Sequence, residues 1–229
     1  MKNLSIIITS LKDNPKTLDS LDRFKLRNDV EIIISMARGL GLARNNGVKL
    51  SFGRVLIFLD SDLVLNRNIW RHLINVKKNH FVMAFGGLAH GSLPEPITQV
   101  LAINRKDFDK VGFSEKIVYS GEDREFFLNA IKKGLIPIRL NKGSFYRHID
   151  HPIRFKKNKM MALRFMFEHS KILVYHGAYI RNYKGFIRWF FPFLYLAEKK
   201  TIRQYIAKIF YSNIRNICVL YNLIVGVKL

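Results

Sequence analysis

The sequence predicts an α/β domain in which a mostly parallel β-sheet is covered by helices on both faces. Short, Ile-rich runs at 4–9 (LSIIIT), 30–35 (VEIIIS) and 55–59 (VLIFL) alternate with segments of helical periodicity. Strands that are buried on both faces read as continuous apolar runs, and parallel strands need helical crossovers between them. The chain is 48% hydrophobic and 24% charged, which is the composition of a protein that can bury such a core.

The predicted elements alternate along the first two thirds of the chain. Asn14-Pro15 opens a helix that runs through residue 26, and a Gly39–Gly41 turn leads into a helix at 42–50. The segment 122–133 carries its apolar residues on one helical face and is followed by Gly134, a typical C-terminal cap. The other predicted elements are a helix at 68–78, an extended segment at 81–85, a strand at 96–104, a short helix at 105–111 and a strand at 135–140.

Two aspartates, Asp60 and Asp62, stand where the third strand ends, and the chain is apolar again directly after them. Aspartate is unfavourable in strands and costly to bury unpaired. In open α/β sheets, ligands bind beyond the carboxyl ends of the strands. Two carboxylates on the same side of an extended chain suit Mg²⁺ or Mn²⁺, and through the metal a phosphate. The alternative is a polar strand exit in which the aspartates cap the next helix.

Further motifs surround this acidic strand end in a fixed order. They are SIIIT at 5–9, ARNNG at 43–47, LDSD at 59–62, AINRKDFDKVGF at 102–113 and GEDREFFLNAIKKG at 121–134. In this order they resemble the family 2 glycosyltransferases of the GT-A fold. The resemblance covers residues 4–151 and implies a GT-A catalytic domain over residues 1–151.

The resemblance implies a role for each acidic residue. Asp60 and Asp62 would hold a divalent cation, Mn²⁺ or Mg²⁺, at the diphosphate of a nucleotide-sugar donor. Asp123 would be the general base that deprotonates the acceptor hydroxyl, and Glu122 would orient or bind the acceptor. The reaction would then be an inverting, metal-dependent glycosyl transfer to a glycan or a lipid-linked acceptor. In the first turn of a helix, acidic residues also complement the macrodipole, so Glu122 and Asp123 have a structural alternative.

Polar residues at the other strand and helix ends are further candidates for donor binding. Arg44 and Asn45 match the family motif that begins a helix, and Arg44 could position either the aspartates or the diphosphate. Thr9 and Ser10 end the first strand and are candidates for a polar contact with the nucleotide.

Two histidines three residues apart, His148 and His151, lie in the segment FYRHIDHP. The resemblance implies that one of them is another metal ligand or diphosphate contact, and His148 is favoured. The chain departs from the family at 36–39, where MARG replaces a loop with an aspartate that reads the nucleobase. The identity of the donor nucleotide therefore stays open.

The positive charge is concentrated in the C-terminal third of the chain. Residues 152–229 carry 15 Lys and Arg against 2 Asp and Glu, and residues 1–151 carry 24 against 15. Aromatic and basic residues interleave over 185–197 and 201–224, which predicts that residues 152–229 form a helical extension that binds an anionic membrane surface. The alternative is that its apolar face packs on the catalytic domain or on a second subunit, so a homo-oligomer stays open.

The rest of the sequence bounds the location of the protein. No apolar run reaches the roughly 18 residues of a membrane span, and the first residues read as a strand rather than a signal peptide. The single cysteine, Cys218, excludes an intrachain disulfide and fits a reducing compartment. We therefore expect a cytoplasmic protein that is peripheral on the cytoplasmic face of a membrane.

Two other functions are consistent with parts of the sequence. A sugar-phosphate nucleotidyltransferase would keep the metal-binding aspartates, but the glycine-rich segment expected after the first strand is SLKDNP here. A non-catalytic, basic nucleic-acid-binding protein would explain the net charge of +22. The sequence carries no helix-turn-helix, zinc or RNA-binding signature, so nucleic acid is not an expected partner.

Overall fold

The chain divides into two compact units, of which the larger consists of Met1–Ala89, Leu93–Val118 and Glu122–Pro152. A computed structural model describes residues 3–22, 28–86, 95–117, 121–141 and 145–148, and in addition Phe167, Ile217, Cys218, Leu220, Tyr221, Ile224 and Val225. The second unit contains Ile153–Leu229, so the predicted helical extension lies largely outside the described residues. A domain division after residue 151 stays a prediction.

A six-stranded sheet forms the centre of the larger unit. Its strands are β1 (Leu4–Thr9), β2 (Val30–Ser35), β3 (Val55–Asp60), β5 (His80–Gly86), β6 (Glu95–Asn104) and β7 (Ile136–Asn141). The spatial order is β2-β1-β3-β6-β5-β7. Five strands run parallel, and β6 runs antiparallel to both of its neighbours. A second, two-stranded sheet pairs β4 (Leu63–Leu65) with β8 (Tyr146–His148).

Two apolar clusters, one on each face of the sheet, confirm the predicted layered architecture. Ile6 and Ile8 of β1 belong to one cluster, and Ile7 between them belongs to the other, because successive side chains of a strand point to opposite faces. The second cluster includes a group of packed phenylalanine rings. The helices are α1 (Thr17–Asp22), α2 (Leu40–Lys49), α3 (Trp70–Ile74), α4 (Arg105–Phe108) and α5 (Glu122–Lys132).

The helix predicted at 68–78 is shorter than expected. A 3-10 turn at Arg67–Ile69 leads into α3, which ends at Ile74. The side chain of Val76 is buried in the core, and its carbonyl oxygen accepts a hydrogen bond of 3.0 Å from the amide of Asn104. Tertiary contacts therefore replace helical hydrogen bonds after Ile74. The short strands β4 and β8 were not predicted, because three residues carry too little periodicity to identify a strand.

Helix α2 lies unusually close to the sheet at Gly47. A Cβ atom at this position would stand 2.3 Å from Cγ2 of Ile7, which is fully buried in β1. Since real Cβ atoms do not approach other carbons this closely, only glycine permits the observed packing. This close approach sets the distance between the sheet and the side chains that α2 directs toward its edge.

We expect Gly47→Ala to destabilise the protein. An alanine normally gains about 1 kcal/mol over glycine inside a helix, but overpacking against Ile7 costs about 1–3 kcal/mol. The net effect is a melting temperature that is lower by a few degrees, measured by thermal unfolding. Lys49→Ala, at an exposed position of the same helix, is the matched control because it changes helix propensity without altering a buried residue. A melting temperature of Gly47→Ala at or above that of the wild type would contradict this packing.

Candidate functional site

The predicted site residues gather at the carboxyl edge of the central sheet. Thr9 ends β1 and lies in register with Asp60, the last residue of β3. Because β6 runs in the opposite direction, its first half, which includes Thr98, lies at this same edge. Helix α5 begins with Glu122 and Asp123.

A buried arginine, Arg44 of α2, joins the two acidic motifs. Its Nη1 lies 3.1 Å from Oε1 of Glu122 and 3.7 Å from Oδ1 of Asp123, and its Nη2 lies 3.4 Å from Oδ1 of Asp60. The ring of Phe113 covers the guanidinium, with its centroid 5.0 Å from Cζ. The Arg44 side chain is only 2% exposed, so these acids supply the counter-charge that a buried cation needs.

A hydroxyl group holds the carboxylate of Asp123. Oγ1 of Thr98 donates a short hydrogen bond to Oδ1 of Asp123. Thr98 is fully buried, whereas the Asp123 side chain remains 26% exposed. The carboxylate of Asp123 is therefore held from inside the protein and still reaches solvent.

The turn that carries Asp60 and Asp62 is fixed by the first residue of α1. Oγ1 of Thr17 donates to the carbonyl oxygen of Asp60 at 2.6 Å and accepts from the amide of Leu63 at 2.9 Å. The amide of Thr17 donates to the carbonyl oxygen of Ser61 at 3.2 Å. Asp60 and Asp62 are both partly exposed, so this turn presents two carboxylates to solvent at the edge of the sheet.

The charges of the cluster shift the protonation of its buried members. Burial, together with repulsion from Asp123, raises the pKa of Glu122 to about 8 and outweighs the opposing charge of Arg44. Burial lowers the pKa of Arg44, but the surrounding carboxylates, Glu122 foremost, outweigh it, so the net shift is upward. Arg44 thus stays charged, and the pKa of Glu122 lies well above its usual range.

Tyr146 of β8 also lies in the field of this cluster. Burial, with the negative charges of Asp60 and Asp123 adding to it, raises the pKa of its hydroxyl. The Tyr146 hydroxyl donates a hydrogen bond of 3.0 Å to Oε1 of Gln99. The aromatic ring is 2% exposed and forms part of the core next to the site.

The remaining predicted donor contacts have local partners. Asn45 donates to the carbonyl oxygen of Phe113 and to Oε1 of Glu115, both at 2.9 Å, and accepts from the amide of Phe113 at 3.1 Å. Oγ of Ser10 accepts from the amide of Lys12 at 3.0 Å. Thr9 is 6% exposed. Roles for Thr9, Ser10 and Asn45 in donor binding stay predictions.

The two histidines differ in what the structure describes. The backbone of His148 pairs with Leu63, the residue after Asp62, so the β4–β8 ladder brings this position to the acidic turn. The side chain of His148 and the whole of His151 lie outside the described residues. Among the side chains that are described, no three His, Cys, Asp or Glu residues form a group that could hold a metal ion. A histidine ligand stays a prediction.

Sequence reasoning did not single out three polar residues that shape the site, namely Thr17, Thr98 and Tyr146. Thr98 and the adjacent Gln99 interrupt the apolar run of their strand, which was the available signal. Tyr146 stands beside the histidines that were considered. Their roles depend on contacts with residues far away in the sequence, which spacing alone does not predict.

Solved structures of similar fold are glycosyltransferases. Glucosyl-3-phosphoglycerate synthase from Mycobacterium tuberculosis, in complex with Mn²⁺, UDP and phosphoglyceric acid, aligns with a TM-score of 0.55 and 14% identity over 76% of this chain and 78% of that one. The same enzyme with Mg²⁺ and UDP aligns with a TM-score of 0.54 and 14% identity over 76% and 79%. S. aureus TarS 1-349 in complex with UDP-GlcNAc aligns with a TM-score of 0.50 and 14% identity over 100% and 77%.

At these identities the structural likeness establishes the GT-A fold, and the family rests on a separate comparison. No curated protein matches the sequence. The model of the family described as "Glycosyl transferase family 2" matches residues 2–148, which is more than half of the chain. The chain therefore belongs to glycosyl transferase family 2.

Proposed function

We propose that this glycosyltransferase is an inverting, metal-dependent enzyme that moves a sugar from a nucleotide-sugar donor to an acceptor hydroxyl. The observation that carries the proposal is the Arg44 cluster, in which one guanidinium contacts Asp60, the proposed metal ligand, and Asp123, the proposed base. The two halves of the reaction, departure of the diphosphate and attack by the acceptor, need these two groups on opposite sides of one sugar. A shared buried cation keeps the two carboxylates at a fixed separation.

The acidic turn fits a divalent cation by the chemistry of its donors. Asp60 and Asp62 would hold Mn²⁺ or Mg²⁺ with two carboxylates, and donor diphosphate and water oxygens would complete a hard-oxygen coordination shell. When bound, the metal would supply Lewis-acid stabilisation of the departing diphosphate. The likeness to an enzyme crystallised with Mn²⁺ or Mg²⁺ and UDP supports this choice.

Asp123 is the proposed general base. Its carboxylate is partly exposed, and it would take the proton of the acceptor hydroxyl as the acceptor oxygen bonds to the anomeric carbon. The bond from that carbon to the donor phosphate breaks on the opposite face, which inverts the configuration. Glu122 is buried and accepts a hydrogen bond of 3.1 Å from Nη1 of Arg44, so we propose that it holds the arginine and orients the start of α5.

An anionic membrane surface is the proposed partner of the second unit. The described helical residues Ile217, Leu220, Tyr221, Ile224 and Val225 are 48–84% exposed. Their spacing of three and four residues places them along one stripe of a helix. Residues 152–229 carry 15 Lys and Arg against 2 acids, so they would repel a second copy and attract anionic lipid. Among the described residues, no helix is long and apolar enough to cross a membrane. For the acceptor, we propose a lipid-linked molecule or a glycan at the membrane surface.

Removing either proposed functional carboxylate should abolish most of the transfer. We expect Asp60→Asn and Asp123→Asn each to lower kcat/KM about 10²-fold or more, since general base and metal contributions are of this size. The measurement is release of nucleoside diphosphate from a panel of nucleotide sugars with Mn²⁺ or Mg²⁺. Asp109→Asn, at an exposed carboxylate, is the control and should keep wild-type activity. Wild-type rates in the Asp123→Asn protein would contradict the proposal.

The raised pKa of Glu122 predicts a pH-dependent stability. In the unfolded chain Glu122 ionises near pH 4.5, whereas the folded protein keeps its proton up to about pH 8. The protonated Glu122 therefore contributes its full stabilisation below pH 4.5. This contribution to the free energy of unfolding, on the order of a few kcal/mol, is lost as the pH rises from 4.5 through about 8. We expect Glu122→Gln to remove this loss, so that its melting temperature relative to the wild type rises between pH 5 and pH 8. A difference that is constant over this range, as expected for Asp109→Asn, would show that Glu122 does not titrate this way.

The membrane proposal predicts binding to vesicles that depends on both lipid charge and the apolar stripe. The full-length protein should sediment with vesicles of phosphatidylcholine and phosphatidylglycerol, and much less with pure phosphatidylcholine. Ile224→Asn/Val225→Asn should weaken this binding about tenfold or more, because each burial contributes about 1.5 kcal/mol or more. The control Leu50→Asn/Phe52→Asn replaces exposed apolar residues of the larger unit and should bind vesicles like the wild type. Equal binding to neutral vesicles, or wild-type binding by Ile224→Asn/Val225→Asn, would contradict the proposed membrane association.

A further inference from the structure

Two buried groups contact the same carboxylate oxygen of Asp123. Oδ1 accepts the hydrogen bond from Oγ1 of Thr98, and it is also the oxygen nearest to Arg44, whose Nη1 lies 3.7 Å away. Both contacts come from groups that are buried, since Thr98 is 0% and Arg44 is 2% exposed. The side chain of Glu122 is also hydrogen-bonded to that of Asp123. Thr98 and Arg44 both approach Oδ1 from the interior, and the Asp123 side chain stays 26% exposed.

The hydroxyl of Thr98 is carried by an irregular part of β6. The ladder between β6 and β5 shifts register here, because Ile97 pairs with Ala84 while Leu101 pairs with Met83. A bulge of this kind can re-aim a side chain of the strand. A fully buried threonine hydroxyl needs a hydrogen-bond partner, and Asp123 is the acceptor that it has.

We propose that Thr98 is a positioning residue for the proposed general base: its hydroxyl fixes Oδ1 of Asp123 and turns the other oxygen, Oδ2, toward the acceptor. In the transfer, the acceptor hydroxyl gives its proton to Oδ2 while its oxygen forms the new bond to the anomeric carbon. The electrons of the broken bond leave with the nucleoside diphosphate. Thr98 itself touches neither substrate. This inference rests on the proposed function, because it assigns the orientation of the same base.

A role in orientation affects the chemical step more than substrate binding. Without the Thr98 hydroxyl, the carboxylate of Asp123 can rotate, and the fraction of time in which Oδ2 faces the acceptor falls. The donor site at Asp60 and Asp62 lies on another strand end and does not contact Thr98 in the described hydrogen bonds. The expected signature is a lower kcat with little change in the KM for the donor.

The test compares substitutions that remove or keep the hydroxyl in the full-length protein. Thr98→Val is nearly isosteric and removes the donor, and we expect it to lower kcat about 10- to 100-fold, the range for a hydrogen bond to a charged group. Thr98→Ser keeps the donor and should restore most of kcat. Should Thr98→Val fail to fold in thermal unfolding, Thr98→Cys, a weak donor of similar size, takes its place. Ser5→Ala removes another fully buried hydroxyl, at the opposite end of β1, and should leave kcat unchanged.

A double-mutant cycle separates this inference from the proposed function. If Thr98 acts through Asp123, adding Thr98→Val to Asp123→Asn causes no further loss of kcat. A further loss as large as in the wild-type background overturns the inference, as does a Thr98→Ser protein that is as slow as Thr98→Val. If Asp123→Asn is impaired and Thr98→Val is not, the base assignment holds and only the positioning role falls. If Asp123→Asn works at the wild-type rate, both fall.

Discussion

The site depends on a single buried guanidinium. Removing a charge from water costs several kcal/mol, and Arg44 recovers that cost only because carboxylates of β3 and α5 surround it. Glu122 and Asp123 repel each other when both are charged, and the guanidinium between the acids offsets that repulsion. Helix α2, strand β3 and helix α5 are therefore held together at their functional ends by electrostatics, and along their lengths by the apolar core.

The direction of the strands determines which residues meet there. Parallel strands bring their carboxyl ends to one edge of the sheet. Thr9 and Asp60 therefore lie in register, although α1, β2 and α2 separate them in the sequence. The reversed strand β6 adds the beginning of its own sequence to this edge, so Thr98 meets the acids from the opposite chain direction. Gly47 contributes indirectly, since the close packing of α2 on Ile7 brings Arg44 within reach of the acids.

Much of the fold and the acidic core of the site could be predicted from the sequence, because the signals are local. Buried strands read as Ile-rich runs, and Asp60 and Asp62 stand out against the strand that they end. The pairing of Arg44 with Glu122 spans 78 residues and leaves no trace in spacing. The role of Thr98 was not predicted, because its partner Asp123 lies 25 residues away in the sequence. The end of α3 at Ile74 was not predicted either, since it follows from the burial of Val76 in the core and not from helix propensity.

The position of β2 at the edge of the sheet has a consequence for how the protein behaves in solution. Among the described strands, β2 is an edge strand that pairs with β1, and its Ile32 is 38% exposed. An edge strand can serve as a template onto which another chain adds a strand. The net charge of +22 keeps copies of this protein apart through mutual repulsion. The same positive charge that is proposed to attract an acidic surface thus also protects the sheet from self-association, and salt weakens both effects together.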